Sequence, residues 1–375
     1  MHPYGDLPVK KATIADVARL AEVSIGTVSA VINEKNSVKL ETRNVVLEAI
    51  RELNYRPQGN ARTLKNKQTG RGSIGLLVRE LDNPFYTAVA SGVRQYAHSK
   101  GYVVVIASSE GDHQYEEEIT SNFAHSDRRG AIIAPVLEGT AEIEHLFRLK
   151  LINFPFVLLE NVKGIQANVV SIDNIKAMRK AMKYLIDSGH SRIVHFAGPA
   201  HASHTFERID GFRRAYSESH FIFNSDMIVP AGAHLENGYQ KCIEYFQKRR
   251  KEEYPTAIVC YNDQIALGVM AALTELNLKV PDDISVVGND DIPLSRYIPT
   301  QLTTVHAPMF ELGVKAAEIL LNNIEAPKPF PIQKVVLDAE FILRESTRAL
   351  RTPGEGRALE DPRRTLEKIG GGSAA

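Results

Sequence analysis

The chain has 375 residues, 43% of them hydrophobic and 24% charged, which is room for two or three domains and excludes a disordered chain. Forty-five basic residues balance 45 acidic ones, so no overall charge marks the chain for a polyanion or a membrane surface. No run of about 18 apolar residues occurs, which argues against a membrane-spanning helix.

The N-terminal MHPYGDLPVKKATIADVARL lacks a signal-peptide core. The two cysteines, Cys242 and Cys260, are expected as reduced thiols of a cytoplasmic protein. Charge is unevenly placed: Met1 to Gly72 holds twelve basic and seven acidic residues. A basic head on an acidic remainder points to a polyanion partner for the head.

The first eleven residues contain proline and glycine and are expected to be loose. In ATIADVARLAEV, Thr13 and Asp16 have capping-box spacing, and Ile14, Val17, Ala18 and Ala21 recur at helical intervals. A tight turn at 21–23 leads into SIGTVSAVIN. There Ser24 is a good N-cap, and Gly26 costs roughly 1 kcal/mol of helix propensity against alanine. After a polar loop, ETRNVVLEAIREL carries Val46, Ile50 and Leu53 on one helical face. Three short helices with a tight turn between the first two make a helix-turn-helix pattern; the same pattern also serves as an ordinary three-helix packing unit. In the DNA-binding use the second helix lies in the major groove. Small side chains let its backbone approach the base edges, and its N-cap amides can meet a phosphate. Pro57 ends this unit, and QGNARTLKNKQTGRG reads as a polar, basic linker.

From Ser73 the texture changes. SIGLLV, YVVVIAS, GAIIAP, FPFVLLE, RIVHFAG, TAIVCY and ISVVG are continuous apolar runs. Runs without alternation predict strands buried on both faces of a parallel sheet. Helix-length spacers between most of them predict a doubly wound α/β body large enough for two lobes. Ligands of such folds sit at the carboxyl ends of the strands, which singles out RELDNPFY, LENVKG, AGPAHASHTFER, CYNDQ and VGNDD. Within these loops Arg208 offers a planar fork of donors and Asp263 a carboxylate acceptor. The pair suits a polyol, and equally an ordinary structural ion pair. Asp290, Asn161, Phe85 and Tyr86 are further candidates, an aromatic there stacking on a sugar face or simply packing a hinge.

His190, His195, His201 and His204 lack the spacing of a tetrahedral metal set, so no metal is expected. There is no Walker loop, no G-x-S-x-G, no H-E-x-x-H, and no G-x-G-x-x-G after the first strand. No catalytic residue or cofactor is therefore expected, and the chain reads as a non-enzyme. An exported solute-binding protein shares such a body but has no use for a basic helix-turn-helix.

ATIADVARLAEVSIGTVSAVINEKNSVKLETR, LNYRP and ARTLK, with DNPFY, ERIDGF, CYNDQIALGVMAAL and VPDDISVVGNDD, together resemble the lac repressor and galactose repressor family. The likeness runs from about Thr13 to Arg344. It implies an all-α helix-turn-helix head over 12–57, a hinge over 58–72, and a two-lobed, periplasmic-binding-protein-like body over 73–346. The first lobe is expected at about 73–172 and 302–333, the second at about 173–301 and 334–346, with a flexible tail at 347–375. The resemblance implies base contacts from Ile25, Gly26 and Ala30, and phosphate or base contacts from Thr13, Ser24, Thr27, Ser29, Asn33, Tyr55 and Arg62. Relatives often carry arginine where Ala30 stands, which makes a family-typical operator doubtful. Leu64 matches the hinge leucine that wedges into the minor groove. The implied protein is a homodimeric repressor of a palindromic operator. Its small-molecule effector would be a sugar, with a nucleobase or a protein co-effector as the alternative.

Overall fold

Each head helix is fixed by its ends. In a computed structural model, residues 13–32, 38–53, 71–137, 143–200, 202–326 and 331–350 are described. Helix α1 (Ile14–Leu20) begins at Thr13, whose hydroxyl accepts from Asp16 N while the Asp16 carboxylate accepts from Thr13 N at 2.9 Å. Its end turns through Glu22 in the left-handed region (φ 51°). Val23 N returns to Ala18 O at 3.0 Å and Glu22 N to Arg19 O at 3.3 Å, a Schellman closure. Helix α2 (Ile25–Ile32) starts at Ser24, whose Oγ accepts from Thr27 N at 3.1 Å, and α3 (Leu40–Glu52) completes the unit. Val17, Ala18, Ala21, Val28, Val31, Val46 and Ala49 are its buried core.

The chain divides into two compact units, 1–71 and 72–375. The second contains two six-stranded sheets. The first sheet runs β11-β5-β4-β3-β1-β2: Lys334–Leu337, Asn168–Ile172, Phe156–Leu158, Arg128–Ile133, Gly72–Val78 and Tyr102–Ser108. All its pairings are parallel. The second runs β12-β10-β9-β8-β6-β7: Glu340–Ile342, Thr303–His306, Ser285–Asp290, Ala257–Cys260, Ile193–Ala197 and Ile228–Pro230. Only β12 is antiparallel, against β10. Helices α4 (Pro84–Ser99), α5 (His113–His125), α6 (Glu144–Leu151) and α11 (Met309–Glu325) cover the first sheet. Helices α7 (Asn174–Asp187), α8 (Ser203–Ser217), α9 (Leu235–Gln247) and α10 (Asp263–Glu275) cover the second.

The expected lobe and tail boundaries need correction: Thr347 is buried and Leu350 N donates to Ser188 O at 2.8 Å, so 347–350 pack on the second lobe and are not tail. Strand β10 lies in the second lobe, paired with β9, and β11 lies in the first, paired with β5. The chain therefore crosses after Ile172, after His306 and after Leu337, rather than near 301 and 333. The reason is pairing: Thr303 and Thr304, each fully buried, align with Val287 and Gly288 of β9. Strand β2 also departs from the expectation of burial on both faces. It is a sheet edge, and Val103 and Ile106 are 63% and 43% exposed.

In the first lobe α4 and α11 pack almost backbone to backbone. A Cβ at Gly92 would lie 2.1 Å from Phe310 O, and one at Gly313 would lie 2.1 Å from Val89 O. That contact holds α11, which follows β10 in the chain, firmly to the first lobe.

Candidate effector cleft and DNA-facing helix

Both sheets point the carboxyl ends of their strands at one cleft. Its walls include Arg79, Glu80, Asn83, Phe85, Tyr86, Glu160, Asn174, His204, Glu207, Arg208, Tyr261, Asn262 and Asp290. Four of the expected effector residues, Phe85, Tyr86, Arg208 and Asp290, thus meet in one place. The location obeys the rule for open α/β sheets.

The first-lobe wall is organised by Arg79, just past β1. Its Nε donates to Pro135 O at 2.9 Å and its guanidinium pairs with Glu160. Two groups of α8, in the second lobe, reach this pair. Ser203 Oγ donates to Glu160, and His204 Nδ1 lies 3.5 Å from Arg79 Nη1. Asn83 caps α4 by accepting from Phe85 N at 3.0 Å. That cap sets Phe85 against Tyr86, edge to face at 5.2 Å.

The second-lobe wall is organised by Arg208 on α8, which is 5% exposed. It donates to Tyr261 O and to Asn174 Oδ1, the latter at 3.3 Å, and lies 3.7 Å from the Asp290 carboxylate. Its guanidinium also sits over the Tyr261 ring at 4.7 Å, and His204 stacks on the same ring at 5.4 Å. Asn174 Nδ2 donates to Glu207 at 2.8 Å. Burial pushes the Asp290 carboxyl up to about 6 against the opposing pull of Arg208. Burial likewise raises Glu207, with the Asn174 hydrogen bond opposing, and raises the Tyr86 phenol.

Two expected effector residues lie elsewhere. Asp263 is the first residue of α10 and fully buried. Its oxygens accept from Thr304 Oγ1 at 2.5 Å and from Ile292 N at 2.8 Å, so it braces β10 and the loop after β9 and does not line the cleft. Burial, with the Asp290 charge adding, pushes it up to about 7. Asn161 lines an outer groove with Lys163, Ile175, Ala200 and Phe206. Conversely, Arg79, Glu160, His204, Glu207 and Tyr261 stand in the strand-end loops marked by the sequence, although nothing in their residue types separated them from their neighbours. Asn174 lies outside those loops, and its role follows only from the start of α7 meeting α8.

The three described histidines of that group do not converge. His190 bonds Thr256 and Arg348 O, His195 bonds Val259 O, and His204 meets Tyr261; His201 is outside the described residues. Among the described residues, Glu80, Asp82 and His234 present ligand atoms within 4.8 Å of one another, an arrangement exposed acids adopt without a metal.

In the head, Ser24, Ile25 and Gly26 are exposed, and Thr27, Ser29 and Ala30 are half-buried. The hydroxyls of Thr13 and Ser24 both serve as caps, Ser24 Oγ also lying 2.9 Å from Thr27 Oγ1. Asn33, Tyr55, Arg62 and Leu64 lie outside the described residues. No described helix is long and apolar enough to cross a membrane.

Comparison with known proteins agrees with this fold. Residues 13–58 match the bacterial regulatory proteins of the lacI family, and 182–347 match the periplasmic binding protein-like domain. The chain is 34% identical over 342 residues to the HTH-type transcriptional repressor PurR of Vibrio vulnificus strain CMCP6, covering 90% of this chain and 99% of that protein. Among solved structures it resembles the transcriptional regulator CelR–cellobiose complex, at 26% identity and a TM-score of 0.67 over 89% of this chain and 99% of that one. It also resembles the lac repressor dimer bound to operator and the anti-inducer ONPF, at 26% identity and a TM-score of 0.67 over 91% of this chain and 100% of that one.

Proposed function

This chain belongs to the LacI family of bacterial regulatory proteins, and from that premise we propose that it is a cytoplasmic homodimer that represses from a palindromic operator and answers to a neutral, unphosphorylated sugar. Family membership makes it an effector-controlled DNA-binding transcriptional regulator and not an enzyme. The dimer and the operator are the state of the similar lac repressor structure, and the sugar follows the cellobiose held by CelR.

The observation that carries the effector class is the charge of the cleft. Among the described residues, Glu80, Glu160, Glu207 and Asp290 line the cleft with Arg79 and Arg208 as its only fixed cations. A phosphate dianion entering there meets a surplus of carboxylates in a poorly solvated space, where like charges repel strongly. Hydroxyl groups, which both donate and accept, suit alternating carboxylates and guanidiniums. Phe85, Tyr86 and Tyr261 supply flat apolar surface. Those rings favour a nucleobase as the second reading.

The ligand acts on DNA affinity only through its different affinities for two conformations of the protein. A thermal-shift panel of neutral sugars, sugar phosphates, polyols, nucleobases and nucleosides tests the reading, with Asp290→Asn as control. A ligand at 100 times its Kd adds about 2.7 kcal/mol of stability. A neutral sugar that shifts wild type and not the variant supports the proposal. A shift by sugar phosphates alone, or by nucleobases alone, overturns it, and no shift at all moves the case to a protein co-effector.

A further inference from the structure

Beside the inner cleft lies a larger space. The inner cleft encloses about 90 Å³, well short of the roughly 300–1,000 Å³ of ordinary ligand pockets. The outer groove that Asn161 lines holds about 640 Å³. The chain passes directly from one space to the other at Glu160–Asn161, at Asn174–Ile175 and at His204–Ser203. Glu207 lines both. The partition between them is therefore thin, and its bar across the two lobes is the hydrogen bond from Ser203 Oγ to Glu160.

The two spaces differ in chemistry. Carboxylates and guanidiniums dominate the inner one. The groove holds a large exposed ring: Phe206 on α8 is 60% exposed and joins none of the apolar cores of the two lobes. A single exposed aromatic is ordinary on a protein surface, but this one lines a cavity continuous with the effector cleft. Asn161 and Lys163 of the first lobe and Asp210 of α8, the last paired with Arg214 at 2.8 Å, line the same groove. A flat apolar ring with an amide, an ammonium and a carboxylate around it matches a sugar ring. The C–H face of a sugar lies on the electron-rich face of the aromatic, and its rim of hydroxyls both donates and accepts.

We propose that the effector is a disaccharide, with its first ring in the inner cleft, its second ring on Phe206 in the outer groove, and the linkage passing Glu207. The proposal rests on the neutral-sugar reading and gives that sugar a length. Asn161 is then an effector residue of the second ring, and Phe206 determines specificity for two rings over one.

Isothermal titration calorimetry on the full-length protein tests this with matched sets: glucose against cellobiose, maltose and trehalose, and galactose against lactose and melibiose. One disaccharide should bind at least about tenfold tighter than the monosaccharides within it. Phe206→Ala should remove most of that advantage and leave monosaccharide binding and the thermal unfolding midpoint unchanged, because the ring supports no core. Phe206→Trp should keep the advantage, and Asn161→Ala, a second exposed position, should reduce it. A monosaccharide that binds as tightly as every disaccharide containing it overturns the inference and leaves the neutral-sugar reading standing. So does an advantage that survives Phe206→Ala, or a variant that loses one-ring and two-ring binding alike. A gain shown by para-nitrophenyl glycosides and by no disaccharide assigns the groove to an apolar aglycone and overturns the second sugar ring. If none of these sugars binds, this inference and the neutral-sugar reading fall together.

Discussion

Each lobe brings one arginine to the cleft, and the two are wired differently. Arg208 is bound wholly within its own lobe, by Tyr261, Asn174 and Asp290. Arg79 is bound by Glu160 and Pro135 of its own lobe, and that pair is touched across the cleft by Ser203 and His204. The first arrangement fixes a wall. The second changes whenever the walls part. A guanidinium is therefore a rigid receptor group on one side and a reporter of closure on the other.

Removing the two arginines separates these roles. Arg208→Ala leaves Asp290 buried without its cation, and urea unfolding should show a loss of about 3–5 kcal/mol together with loss of the effector shift. Arg79→Ala leaves Glu160 with Ser203, so the loss should be smaller, about 1–2 kcal/mol. Its larger consequence is a reduced effector-dependent change in operator affinity, read by titrating labelled duplex with and without ligand. Equal stability losses for the two variants would break the comparison.

Between these in size is Gly313→Ala, which drives a methyl into Val89 O and should cost about 1–3 kcal/mol. Calorimetry should locate that loss in the first lobe, with the second unaltered.

The smallest effect is a pH slope in the second lobe. His195 is buried, stacked on Phe212, and pushed down to about 4 by desolvation. It therefore favours folding above its unfolded value of 6.5, and that contribution fades as pH falls towards 4. Asp263, pushed up to about 7, works in the opposite sense. Its contribution is complete below 3.8 and fades as pH rises to 7. Between about 4 and 6.5 the two offset. Asp263→Asn removes one of them, so the variant's unfolding free energy should rise with pH across that window, relative to wild type, by up to about 1.4 kcal/mol per unit. A difference between variant and wild type that stays flat with pH would show that Asp263 does not supply the opposition to His195.

The sequence revealed the body through its longest apolar runs, and these became β1, β2, β3, β4, β6, β8 and β9. It was silent on β5, β7, β10, β11 and β12, which span three to five residues. They owe their conformation to neighbouring strands more than to local pattern. Strand β10 shows this best: Thr303 and Thr304 look like surface residues until β9 and Ser346 take up their backbone groups and Thr347 and Asp263 their hydroxyls. The same blindness moved the lobe boundaries. The same chemistry marked Arg208, Asp290 and Asp263 as ligand groups; the structure sets the first two in the cleft wall and Asp263 beneath it. A carboxylate one residue into a helix turns towards the sheet or the solvent according to what lies beneath, and here Ile292 N and Thr304 lie beneath.

The three crossings, after Ile172, His306 and Leu337, limit what the lobes can do. Two bodies joined by one tether keep many relative motions. Joined by three short ones along the same side, they keep little more than a bend about a common axis. The state of the cleft then reduces to a single angle. A regulator built this way can exchange one ligand for another by altering Arg79, Glu160, His204 or Tyr261, while everything downstream continues to read the same variable.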